Sequence, residues 1–265
     1  MSLLDGLIAS LKLHETAGTR SDSHDGHDGI EIGSVGSASG GPLGIAATSS
    51  QASDYLSVHD HVDLRGDAAI TIATWAKVPE GATLVLASKV TQSNSDDEYW
   101  LSYVATGKAN FDIAGADLSY PTAQSDVLTP DAWHFILAWW AQGEGIYLQV
   151  DNGSPQFQAF TGENVAAEAG SLTVCKGGDG LAAEQSLSFW RRVLTSDERT
   201  ALWNNGAGLD YPFVSGGSMD TSNANYEDLN YYYYMTDFAG ELERERQLMA
   251  QMEAARRAVW QKPAK

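Results

Sequence analysis

Residues Phe189 to Gly206 constrain the fold of this chain more than any other stretch, because they run an aromatic strand into a short helix whose two ends are both marked. Thr195 with Glu198 three positions on makes a capping box, in which hydroxyl and carboxylate each satisfy a backbone N–H at the helix start. Asn205-Gly206 then supplies a left-handed stop. Between these signals Leu194, Ala201 and Leu202 turn an apolar side toward a sheet, while Asp197, Glu198 and Arg199 stay in water.

The rest of the first 213 residues reads as strand. Ile146, Leu148 and Val150 alternate with Tyr147 and Gln149 ahead of an Asp151-Asn152-Gly153 turn, which is a hairpin pattern. Phe135-Ile136-Leu137-Ala138-Trp139-Trp140 is apolar on both faces, as a strand must be when it lies between a second sheet and a covering layer. Tyr55–Val58, Ile70–Ala76, Leu84–Leu86, Tyr99–Tyr103, Phe111–Ile113, Leu172–Val174 and Leu187–Phe189 add further strands. The expectation is an all-β, two-sheet antiparallel sandwich with helix confined to the segment after Thr195.

In their order and spacing these pieces resemble the concanavalin-A-like jelly roll of the laminin-G-like and pentraxin-like superfamily. Trp190, Arg192, Leu194, Thr195, Glu198, Leu202, Trp203, Asn204 and Gly206 match its closing pattern, W-x-R-x-L-[ST]-x-x-E-[RI]-x-x-L-[YW]-N-x-G. Leu4 to Glu15 is similar to the family's first strand, with Ala17-Gly18-Thr19 and Asp22-Ser23 in the following loop. The likeness covers about residues 3 to 213. Jelly rolls that begin Ser2-Leu3-Leu4-Asp5-Gly6-Leu7-Ile8-Ala9 resemble those of bacteriophage structural proteins.

Composition shifts after Phe213. Ser215-Gly216-Gly217-Ser218 and Thr221 to Asn225 read as a flexible polar linker. The organisation expected is a sandwich over 1–213, a linker and aromatic docking segment over 214–235, and a C-terminal amphipathic helix over 236–265, whose helical stretch from about Thr236 to Trp260 would be roughly 35 Å long. Tyr231, Tyr232, Tyr233 and Tyr234 either fill pockets on a partner or pack back on their own sandwich. Phe238, Leu242, Met249, Met252, Val259 and Trp260 complete the docking set, although Glu245 and Arg256 interrupt the heptad seam and argue against an autonomous coiled coil.

Net charge is −19, of which −17 falls on residues 1–213, so the body repels nucleic acid. From Leu242 onward the chain is +3, suited to an acidic partner. Cys175 is the sole cysteine, so packing must hold the fold and a buried thiol is expected. Neither a signal-peptide pattern nor an apolar run of membrane-spanning length is evident, and no membrane partner is expected.

Three kinds of chemistry are weighed. Glycosidases of this architecture carry Glu-x-Asp-x-x-Glu on one strand, a pattern not found here, and Asp96-Asp97-Glu98 reads as a solvated turn, so no catalytic residues are expected. His24-Asp25-Gly26-His27-Asp28-Gly29 is a glycine-rich loop that could wrap calcium, with Asp22 and Asp28 as ligand candidates and Asp179 as another. Zinc is disfavoured because four converging ligands are not visible. Tyr120, Trp140 and Tyr147 are the rings considered for sugar binding, against ordinary sandwich packing.

The resemblance implies a non-enzymatic virion protein, made in a host cytoplasm. In that reading it is a head decoration or cement subunit, a homo-oligomer or repeated on a symmetric assembly, anchored through its C-terminal arm to the major capsid protein or to sister subunits. The alternatives are a phage tail or fibre adhesin, and a calcium-dependent carbohydrate-binding module of a bacterial protein with glycan partners.

Overall fold

The computed structural model describes residues 2–66, 68–89, 98–115, 119–162 and 170–214, all within a compact unit spanning Met1–Val214. Two antiparallel sheets face each other, so the expected jelly-roll-like sandwich is what the chain forms. One sheet runs β13 (Gln156–Gln158), β12 (Gly145–Val150), β11 (Trp133–Ala141), β6 (Ala69–Lys77), β15 (Ala182–Trp190), β4 (Gly44–Ser49), β3 (Gly36–Gly41), with β1 (Leu7–Leu11) also paired to β15. The other runs β10 (Thr122–Gln124), β9 (Lys108–Ile113), β8 (Tyr99–Val104), β7 (Thr83–Lys89), β14 (Leu172–Gly178), β5 (Tyr55–Val58), β2 (Gly29–Ile32). Three of the strands absent from the sequence reading are β2, β3 and β4: no apolar alternation marks the Gly/Ser/Ala-rich β3 and β4, and the Ile30 and Ile32 of the short β2 face outward rather than into the core.

Apolar burial is arranged in two clusters. Ile136, Ala138 and Trp140 of β11 meet Leu101, Phe111 and Val174 of the opposite sheet in the main core. Phe135, Leu137 and Trp139 point the other way and pack with Trp75, Trp190, Leu194 and Leu202. The layer over that second face is the helix α1 (Ser196–Trp203) together with Leu3, Leu4, Tyr211 and Phe213. Trp203 stacks on Trp75 with centroids 5.3 Å apart and planes 18° apart.

The closing motif explains itself in this packing. Thr195 Oγ1 accepts the Glu198 N–H, and Glu198 Oε2 accepts the Thr195 N–H at 2.8 Å, so the capping box is formed. The same carboxylate takes two hydrogen bonds from Arg192, at 2.7 and 2.8 Å. Arg192 also donates to Asp5 O and Ser2 O, while Trp190 Nε1 donates to Leu3 O. Helix, last strand and chain start are thus held by one ionic knot. Burial opposes the charge on Glu198, yet the Arg192 and Thr195 hydrogen bonds outweigh it and hold the carboxyl below its usual range. The left-handed stop begins one residue earlier than expected, at Asn204 (φ 48°), followed by Asn205 (φ 53°). Asp151 and Asn152 both take positive φ (49° and 56°), the turn that joins β12 to β13.

Glu98 is not solvated, contrary to the sequence expectation. It is fully buried, with Oε2 accepting the Gly66 N–H at 3.0 Å and Oε1 lying 3.8 Å from Lys89 Nζ. Lys89, equally buried, donates to Asp60 Oδ1 at 2.5 Å and to Gly170 O at 2.7 Å. Asp96 and Asp97 lie outside the described residues. Cys175 is fully buried, and that burial pushes its thiol well up.

Two outcomes follow for stability. Glu198→Ala strips the half-buried Arg192 guanidinium of its partner and the helix of its cap, and should lower the unfolding free energy by about 2 kcal/mol in chemical denaturation. Glu184, fully buried on β15 with Thr74 Oγ1 donating at 3.0 Å and its second oxygen unpartnered, is raised well above its ordinary value by desolvation. The folded state therefore holds this proton more tightly than the unfolded chain, and Glu184 loses stability as pH climbs from its unfolded value of about 4.5 toward its folded one. Glu184→Gln removes the titration, so the variant should gain on the wild type by about 1 kcal/mol or more between pH 4 and pH 7 in melts.

Candidate functional site

The two outer faces of the sandwich differ. The eight-stranded sheet is roofed by α1 with Leu3, Leu4, Tyr211 and Phe213, whereas the outer face of the seven-stranded sheet carries mostly polar side chains, the rings of Trp100 and Tyr55, and Ile30 and Ile32 at its β2 edge. In an antiparallel ladder directly opposed residues share a face. Register therefore places Thr122, Asp112, Trp100, Ser88, Thr173 and Ser57 in one row across six strands. On β8, Tyr99, Leu101 and Tyr103 fill the core while Trp100 and Ser102 point out, and Trp100 stays 41% exposed.

Beside it lies a cleft of ≈ 480 Å³ lined by Gln51, Thr83, Val85, Trp100, Lys176 and Asp179. Lys176 Nζ sits 5.5 Å from the centre of the Tyr55 ring, which keeps the ammonium over the sheet. Desolvation raises Asp112 despite the hydrogen bond it receives from Thr122 Oγ1. A flat ring next to amide, hydroxyl, ammonium and carboxyl groups is the arrangement that grips a ligand with one apolar face and several hydroxyls.

Of the rings considered from sequence, Trp140 is fully buried and Tyr147 stacks on Trp139 at 4.9 Å and 6°, so both are packing. Tyr120 is 47% exposed in the segment just before β10. Trp100 was missed, although its signal was legible: a tryptophan in the outward phase of an alternating strand.

The metal candidates are not gathered into one ligand set. Asp22 accepts backbone N–H groups from Ser10, His24, Asp25 and His27 at 2.7 to 3.0 Å. Burial opposes its charge, but these four donors win and hold the carboxyl below its usual range. Asp28, exposed, accepts the Asp22 N–H at 2.8 Å. Asp179 belongs to the turn between β14 and β15 and lines the cleft instead. The group whose ligand atoms do converge, within 4.8 Å of one another, is His27, His61 and Asp63. It is the one such group among the described residues, and no spacing rule joins residues 34 positions apart. Tyr231, Tyr232, Tyr233, Tyr234, Phe238, Leu242, Met249, Met252, Val259 and Trp260 lie outside the described residues.

No protein-family model matches the chain, and neither does any curated protein sequence. The fold is similar to the binding domain of Paraclostridial Mosquitocidal Protein 1 (TM-score 0.64, 12% identity, 76% of this chain and 52% of that one). It is also similar to the binding domain of botulinum neurotoxin DC, solved in complex with rat synaptotagmin II (TM-score 0.62, 12% identity, 77% and 52%). A third likeness is to a structure of botulinum neurotoxin type C, whose cell entry depends on interaction with two ganglioside molecules (TM-score 0.59, 13% identity, 76% and 51%). This chain spans about half the length of those solved domains. At such identities the likeness is one of fold, an antiparallel β-sandwich.

If Asp22 serves as the staple of the β1–β2 loop, Asp22→Ala should cost about 2 kcal/mol by exposing four backbone donors, and faster amide exchange at His24, Asp25 and His27 would report it.

Proposed function

We propose that this chain is a non-catalytic, lectin-like binding domain, and that the outer face of its seven-stranded sheet receives a glycan. The observation that carries the reading is Trp100, a ring left in water on a strand whose other aromatic residues are buried, beside a cleft of polar side chains. Support also comes from the neighbours of this fold, which are binding domains of toxins, one solved with a protein receptor and one dependent on gangliosides. Trp100 offers its face to the C–H side of a sugar, while Lys176, Gln51, Thr83 and Asp179 supply donors and acceptors for hydroxyls.

The virion reading, with a C-terminal arm as anchor, concerns residues 215–265, which are not among those described. The binding-domain reading does not need it. Deleting residues 215–265 is expected to leave glycan binding unchanged, whatever it does to assembly.

The test is a glycan array probed with the full chain, followed by calorimetric titration of the strongest ligand. Trp100→Ala should weaken that ligand roughly 10-fold or more, a loss of about 1.4 kcal/mol, while leaving the melting temperature within a few degrees. An array without ligands, or a Trp100→Ala variant that binds as tightly as the wild type, removes the proposal.

A further inference from the structure

At the edge of the seven-stranded sheet, where β2 begins and β5 ends, paired through Gly29 and Val58, two loops bring histidines together. His27 precedes β2 and is only 8% exposed, and its Nε2 has no hydrogen-bond partner. A buried imidazole nitrogen in that state is costly unless something fills it. The His61 ring lies 4.8 Å from that of His27, centroid to centroid. His61 caps the 3-10 turn Val62–Leu64, and its Nδ1 lies 3.0 Å from Asp63 Oδ2.

We propose that His27, His61 and Asp63 form a binding site for a zinc-type divalent cation. Two imidazoles and one carboxylate are the donor set of a borderline-soft ion, whereas calcium takes oxygen ligands. Ligands on a tetrahedral zinc stand roughly 3.3 Å apart. The three donor atoms already lie within 4.8 Å of one another, with His61 exposed and Asp63 half-buried beside the buried His27.

The surroundings are built for this. Asp22 fixes the His27 backbone by accepting its N–H at 2.9 Å, so the buried ligand is held in place. Arg191 Nη1 donates to Asp63 Oδ1 at 3.2 Å, which orients the carboxylate and leaves Oδ2 toward the histidines. Three protein ligands leave a fourth position for water. The ion ties the β1–β2 loop to the segment after β5, where the sheet edge has no further strand beyond β2 among the described residues. This inference is independent of the glycan-binding reading, since none of its residues lines the cleft beside Trp100.

The test uses the full chain, stripped with a chelator and titrated with zinc in a calorimeter and in thermal melts. One zinc per chain at micromolar concentration or below, with a melting temperature raised by several degrees, is expected. Cobalt(II) should give the visible absorption of a tetrahedral nitrogen and oxygen site, and millimolar calcium should shift nothing. His61→Ala at an exposed position and Asp63→Asn at a half-buried one, both checked for folding by circular dichroism, should each lose the bound ion. His24→Ala and His59→Ala should keep it. Failure of zinc to bind stoichiometrically, equal binding by His61→Ala and Asp63→Asn, or an equal response to calcium overturns the site.

Discussion

A strand that is apolar on both faces has to be covered twice, and β11 sets that requirement for the molecule. Its Ile136, Ala138 and Trp140 need the opposite sheet, and its Phe135, Leu137 and Trp139 need a roof. Helix α1 and the residues flanking it supply that roof, because the chain leaves the last strand at Trp190 directly beneath it. With one outer face roofed by the helix, the outer face of the seven-stranded sheet is the broad open one, and it is the face on which we propose a ligand lies across several strands.

Much of this could be read from residues alone, and the exceptions share a cause. The strand Tyr55–Val58, the doubly apolar β11, the hairpin turn at Asp151-Asn152 and the capping box at Thr195 are all written in short-range pattern. Gly36-Ser37-Ala38-Ser39 forms a strand only because β4 lies beside it, and nothing in its own side chains says so. Glu98 was misread for the same reason: its counter-charge, Lys89, sits on the neighbouring strand, and Asp60 approaches from a separate loop. His27 was singled out as part of a polar loop, but its companions His61 and Asp63 become neighbours only once β2 pairs with β5.

The loop between β1 and β2 shows how one carboxylate can decide the use of others. Asp22 looks like a cation ligand in sequence, yet it spends its oxygens on four backbone donors and so becomes the frame on which His27 is mounted. Acidic residues in glycine-rich loops divide in this way between those that shape the loop and those left to meet a ligand. Only the hydrogen-bond pattern separates them.

The ionic knot around Arg192 has a mechanical side. In the β1–β15 ladder Leu7 stands opposite Trp190, so the chain enters and leaves that ladder at the same end. Tension drawn between these two points would peel the strands apart rung by rung, the geometry in which hydrogen bonds resist least because they break singly. The grips of Arg192 on Ser2 and Asp5, and of Trp190 on Leu3, sit in front of the first rung. They act as a latch, and a domain tethered by its ends would carry its load there before any strand moved.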